Sequence, residues 1–203
     1  MTDCCAITDE VPARQRRILT VVLAINAAMF VVELAGGLLA HSTALLADSV
    51  DMLGDAIVYG FSLYVVGRGR QWQARGALLK GGAMAAFGVG VLAEVALKLV
   101  RGVVPAAAIM SGVGVLALAA NGVVLACLWR RRDDDLNMRS AWLCSRNDVM
   151  ANAGVLAAAG GVAVTGSPWP DIVAGAAISL LFCTSAVEVL RTAGRQLRPR
   201  PAP

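Results

Sequence analysis

Ala44-Leu45-Leu46-Ala47-Asp48-Ser49-Val50-Asp51-Met52-Leu53-Gly54-Asp55-Ala56-Ile57-Val58 sets three carboxylates inside a run that otherwise reads as part of a membrane-spanning helix. Each acid costs roughly 2.5 to 3.5 kcal/mol at mid-bilayer on insertion scales, so three in one helix need compensation by partners or by a bound cation. Asp51 and Asp55 are four residues apart and stack on one helical face, with Asp48 one turn earlier on nearly the same stripe. The spacing recurs in Leu143-Cys144-Ser145-Arg146-Asn147-Asp148-Val149-Met150, where Cys144 and Asp148 stand four apart. Two helices that each offer two anionic ligands in this way enclose one divalent cation when they face each other.

The rest of the chain supports a membrane setting. It has 203 residues, 58% of them hydrophobic and only 16% charged, with a mean hydropathy of +0.68. That is too apolar for a soluble domain of this size. The net charge of +4 and a pI near 9.0 do not indicate nucleic acid, because the arginines form short runs between apolar segments instead of one basic face. Ile18 to Ala40 is longer than a signal-peptide core and reads as a first span, with no cleaved signal. The five cysteines, Cys4, Cys5, Cys127, Cys144 and Cys183, form no paired framework, which argues against structural disulfides.

Six apolar stretches, near 18–40, 43–66, 77–99, 106–129, 141–164 and 170–190, are long enough to cross about 30 Å of hydrocarbon. The expected fold is therefore an all-α, six-helix membrane domain over 18–190, with an N-terminal tail over 1–17 and a short C-terminal tail over 191–203. Arg14, Arg16 and Arg17, then Arg68, Arg70 and Arg75, then Arg130, Arg131, Arg132 and Arg139, and finally Arg191, Arg195, Arg198 and Arg200 all fall on one side. The other side has little beyond Arg101. By the positive-inside rule both tails are cytoplasmic, and the connections at His41, Arg101 and Ser167-Pro168-Trp169-Pro170 face outward. Asp133, Asp134 and Asp135 read as a solvated loop, the alternative being a cytoplasmic funnel for cations. Spans two and five then run in opposite directions, and their shared ligand spacing hints at two three-helix halves related by inversion.

Two Asp from one helix with Cys and Asp from another make an oxygen-rich set with one thiolate, suited to a four-coordinate borderline cation such as Zn²⁺. The sulfur adds affinity for softer ions such as Cd²⁺, whereas Mg²⁺ and Ca²⁺ prefer six or more oxygens. Carboxylates brought together out of water repel one another, so protons and metal compete for them, and that competition is a physical basis for exchange.

Leu45-Leu46-Ala47-Asp48 followed by Asp51-Met52-Leu53-Gly54-Asp55 resembles the second-helix signature of the cation diffusion facilitator family. Ser140-Ala141-Trp142-Leu143 followed by Cys144 through Asp148 resembles its fifth-helix signature, and Asn26, Glu33, Gly36 and Gly37 are similar to its first helix. The resemblance implies six helices with cytoplasmic termini and export of Zn²⁺ or a related divalent ion, Cd²⁺ and Co²⁺ included, against protons. It also implies a homodimer in a membrane, here expected to be a bacterial inner (plasma) membrane. The transported metal is the substrate, and no further cofactor is expected. The family's transport tetrad falls on Asp51, Asp55, Cys144 and Asp148. Cys144 departs from the His or Asp usual there, which gives weight to a softer ion. Most members continue into a cytoplasmic metal-binding domain, whereas this chain reads as a short form ending at Arg198-Pro199-Arg200-Pro201-Ala202-Pro203; a histidine-rich loop is also missing, His41 being the single histidine.

Several residues carry two readings. Asp48 either packs against Arg146 or tunes the site from behind its ligands. Arg146 lies near the cytoplasmic end of span five and either snorkels or pairs with Asp48 or Glu33, a structural ion pair reading better than a gate. Glu33 is either paired structurally or part of a proton relay, and Glu94 leans structural. Asn147 and Asn152 are candidates for hydrogen bonds across helices, Asn152 lying one turn beyond Asp148. Cys4 and Cys5 either capture soft metal or belong to a disordered tail. Gly36-Gly37, Gly81-Gly82 and Gly160-Gly161 read as close helix contacts. Two other functions compete with transport: a membrane metal sensor or accessory protein that binds without moving the ion, and an intramembrane aspartyl protease. For the last, Leu53-Gly54-Asp55 supplies a faint Gly-Asp element, but Cys144 has no role.

Overall fold

The computed structural model describes residues 13–65, 70–130 and 136–197. These form six helices: α1 (Ala13–Ala40), α2 (Thr43–Val65), α3 (Arg70–Arg101), α4 (Ala107–Trp129), α5 (Leu136–Thr165) and α6 (Trp169–Leu197). The expected six-helix fold is borne out. Cys4, Cys5, the acidic triplet Asp133–Asp135 and the last residues of the C-terminal tail lie outside the described residues.

The odd-numbered helices all stop the same way, at the end away from the arginine runs. Each is followed by a residue in the left-handed region: His41 at φ 51°, Gly102 at 64° and Gly166 at 61°. Gly102 N–H bonds back to Lys98 O and Gly166 N–H to Val162 O, both at 2.8 Å. After α1 the closure is doubled, with Ser42 N–H on Gly37 O and His41 N–H on Leu38 O. Ser42 then caps α2, its Oγ accepting the Leu45 N–H at 3.1 Å.

Five helices are long and apolar enough to cross a membrane. The sixth, α2, has 23 residues, which gives it a matching length of about 34 Å, but it carries three acids. Its packing resolves the conflict, because α1, α3, α5 and α6 all contact it. Every residue from Ser42 to Val50 is buried. Lipid instead meets the apolar outer faces of the other helices, where Val31, Leu39, Val100 and Val164 are exposed.

Each helix of the first half packs on its counterpart in the second: α1 on α4, α2 on α5 and α3 on α6. That is the pairing an inverted repeat requires, although α2 also packs on α6 with no comparably strong α5–α3 contact. One core joins α1, α2, α4 and α5 through Ala40, Leu45, Met110, Val155 and Val162. Another joins α2 to α3 and α6 through Leu46, Val50, Met84, Val91 and Phe182. A third, around Leu19, Val22, Tyr59, Val124 and Leu128, closes the arginine-bearing end.

Both glycines of the first pair are close contacts, whereas the other two pairs make contact on one side only. Gly36, Gly37, Gly81 and Gly161 meet another helix or its flanking residues, whereas Gly82 and Gly160 face open space. The tightest approach to backbone is elsewhere, at Gly175, where an added Cβ would lie 2.7 Å from the Thr43 carbonyl carbon. Gly175→Ala is therefore expected to lower stability by about 1–3 kcal/mol, since backbone has to move to admit it. The midpoint of unfolding in detergent reads this directly, and an unchanged midpoint would mean that α6 can withdraw from α2 without penalty.

Candidate metal centre

The site is built from the middle of α2 and the first half of α5. On α2, Asp48 and Asp55 are buried and Asp51 is half-buried; on α5, Asp148 and Asn152 are buried and Cys144 is half-buried. The i, i+4 spacing turns each pair toward the neighbouring helix. Asp148 comes within hydrogen-bonding reach of Asp51 and also faces Asp55 and Asp48. Asp55, Cys144 and Asp148 all lie near the hydroxyl of Tyr59. The four expected ligands thus lie near one another where α2 meets α5. Among the described residues no three His, Cys, Asp or Glu side chains form a closed ligand set, so the four are neighbours, not a finished coordination shell.

Tyr59 went unnoticed in the sequence, although it stands one turn after Asp55 on the same stripe. It is 4% exposed and sits in the core at the arginine-bearing end. Its hydroxyl is buried near Asp55.

Behind the ligands runs a chain of amides. Asn152 donates through Nδ2 to Asp48 Oδ2 at 2.6 Å and accepts at Oδ1 from Asn121 Nδ2 at 3.0 Å. Asn121 Nδ2 also points at Met52 Sδ, 3.8 Å away. Asp48 is thereby held from α5, consistent with a supporting role. Asn121 was missed too; the available signal was a lone amide in the otherwise apolar α4. Glu33 from α1 faces Asp48 and Asp51, is fully buried, and has no hydrogen-bond partner at either carboxylate oxygen among the described residues.

Two expectations fail here. Arg146 does not pair with Asp48 or Glu33: it is exposed, and its guanidinium lies 5.7 Å from the Trp142 ring centroid. Its cation is satisfied outside the bundle by an aromatic face, so it does not oppose metal in the site. Asn147, also exposed, makes no bond across the helices among the described residues. Glu94 lies away from the centre, in a groove of about 430 Å³ shared with His41, Leu46 and Phe87.

A second polar cluster lies at the far end of α2. Asp171, in the first turn of α6, accepts from Ser42 Oγ at 2.5 Å, Thr43 N at 2.8 Å, Thr43 Oγ1 at 2.7 Å and Ala44 N at 3.1 Å. Lys98 of α3 pairs with it at 2.6 Å and also donates to the His41 carbonyl. Both charges are out of solvent, Lys98 at 3% and Asp171 at 0% exposure. Neither residue drew notice in the sequence. An acid opening one helix and a lysine closing another look like ordinary complements to helix dipoles, and nothing in their spacing says that they meet.

Residues 19–198 match the sequence model of the cation efflux transmembrane domain. No curated protein matches the chain.

Proposed function

The chain belongs to the cation efflux family of membrane cation transporters, and from that premise we propose that it exports a divalent transition metal from the cytoplasm in exchange for protons. Zn²⁺ and Cd²⁺ are the favoured substrates, with Co²⁺ a further candidate. The observation that supports this reading is that Asp51, Asp55, Cys144 and Asp148 lie near one another where α2 meets α5. Three carboxylates and a thiol in one half-dry space repel when empty, and they need cations to be ionised together. Metal arriving from the arginine-bearing side displaces protons, and protons from the opposite side displace the metal. Asp48, Asn152 and Glu33 support the ligands without being among them. The tails over 1–17 and 191–203 are cytoplasmic in this reading, the working unit is a homodimer, and the membrane is a bacterial inner membrane. Cys4 and Cys5 offer soft metal a first contact.

Reconstitution in lipid vesicles tests the proposal. Zn²⁺ and Cd²⁺ flux is expected, accelerated by an opposing pH gradient. Protein that binds metal without moving it would be a sensor or accessory instead. Cys144→His is expected to shift preference from Cd²⁺ toward Zn²⁺ by about tenfold, because imidazole replaces the soft thiolate. Unchanged selectivity would remove Cys144 from the ligand set.

A further inference from the structure

We propose that the Lys98–Asp171 pair, together with Ser42 and Thr43, is the outer gate of the transport path: a latch that keeps the metal centre closed to the outside and must open for release. The inference rests on the transport reading and orientation given above, and it adds a device for which neither the family match nor the site provides.

The cluster joins three helices at one point. Asp171 brings α6, Lys98 brings α3, and the backbone N–H groups of Thr43 and Ala44 present the N-terminus of α2. One carboxylate accepts five hydrogen bonds there, from Ser42 Oγ, Thr43 N, Thr43 Oγ1, Ala44 N and Lys98 Nζ. A buried anion facing both a helix N-terminus and a lysine is over-determined in position, so the three helix ends are held as a unit.

Burial along α2 gives the latch its direction. From Ser42 to Val50 the helix has no exposed position, whereas from Asp51 onward Leu53, Ala56, Ile57, Val58 and Gly60 keep partial exposure. The two half-buried ligands, Asp51 and Cys144, mark the change. The centre is thus sealed on the side of the latch and less tightly enclosed on the arginine-bearing side. Carrying metal outward requires the seal to reverse. The elements that must part are α2, α3 and α6, and the hydrogen bonds of Asp171 are the polar contacts that tie them. Once the latch is wet, water replaces the lost partners, so the pair can open without stranding a charge in hydrocarbon.

Cys144 is a built-in reporter. With Cys4, Cys5, Cys127 and Cys183 replaced by Ser, a membrane-impermeant thiol reagent added outside reads exposure of the centre to that face. Asp171→Asn and Lys98→Gln are expected to raise the outside labelling rate of Cys144 about tenfold, as the closed population gives way. Lys98→Arg, which keeps the charge, should stay near the parent rate. Thr43→Val keeps the ion pair and loses only hydroxyl contacts, so a smaller rise of roughly two- to threefold is expected; it carries the test if the charge variants do not fold. Unchanged outside labelling in folded variants would overturn the latch. An equal rise from both faces would also overturn it, since that is general loosening. Labelling of Cys4 and Cys5 in the unaltered chain fixes which face is inside, so an error of orientation shows separately from a failure of the latch.

Discussion

Asp55→Asn is expected to reduce metal flux into vesicles by about 100-fold or more while leaving the protein folded. Losing a residue that only hydrogen-bonds to a ligand already costs about 10–100-fold at metal sites, and an anionic ligand sits closer than that. Asp55 is 4% exposed and lies beside the Tyr59 hydroxyl with Cys144 and Asp148 around it. Asparagine keeps the volume and one carbonyl oxygen but removes the charge that draws a dication out of water. The change therefore isolates charge from shape. Asp48→Asn provides the comparison, because Asp48 is held through Asn152. Its expected loss is nearer tenfold. Flux and equilibrium metal binding, measured on the same vesicles, check both values. Flux within twofold of the parent in Asp55→Asn would remove this residue from the centre, and a larger loss in Asp48→Asn would reverse the two roles.

The parts of this molecule that could be read in advance are those governed by short-range periodicity. Span lengths follow from hydropathy, and the expected boundaries fall within a few residues of the helix ends facing away from the arginine runs. The arginine-bearing ends run further, with α3 beginning at Arg70 and α6 continuing to Leu197. Span two is marked with the others, but its three acids keep α2 out of the helices apolar enough to cross a membrane. Their four-residue spacing explains them, because partners or a bound cation on one face offset their cost. What periodicity cannot supply is the identity of the opposing helix. Asp171 and Lys98 are 73 residues apart and meet only because α6 and α3 pair and converge on the start of α2. Asn121 is tied to Asp48 through an intermediate amide from a third helix. Arg146 leaves Asp48 and Glu33 for a related reason: its helix has an outer face, and Trp142, four residues earlier, offers a partner there.

The largest effect on stability is expected at the other polar cluster, from Asp171→Ala. Removing one member of a buried ion pair strands the other, at a cost of about 3–5 kcal/mol. Lys98, 3% exposed, would retain only the His41 carbonyl, which cannot neutralise it. The N-terminus of α2 would also lose the acceptor for its Thr43 and Ala44 N–H groups. Lys98→Met alone is expected to cost somewhat less, since the carboxylate would still hold four donors from Ser42, Thr43 and Ala44. The double variant discriminates between causes. If stranded charge dominates, Lys98→Met in the Asp171→Ala background recovers most of the loss and leaves about 1 kcal/mol for the missing cap. If capping dominates, the double variant is as unstable as Asp171→Ala. Denaturant unfolding of the four proteins in one detergent gives the coupling energy. A cost below about 1 kcal/mol for Asp171→Ala would show that water reaches Lys98 when the carboxylate is gone, and that this end of the bundle is not dry.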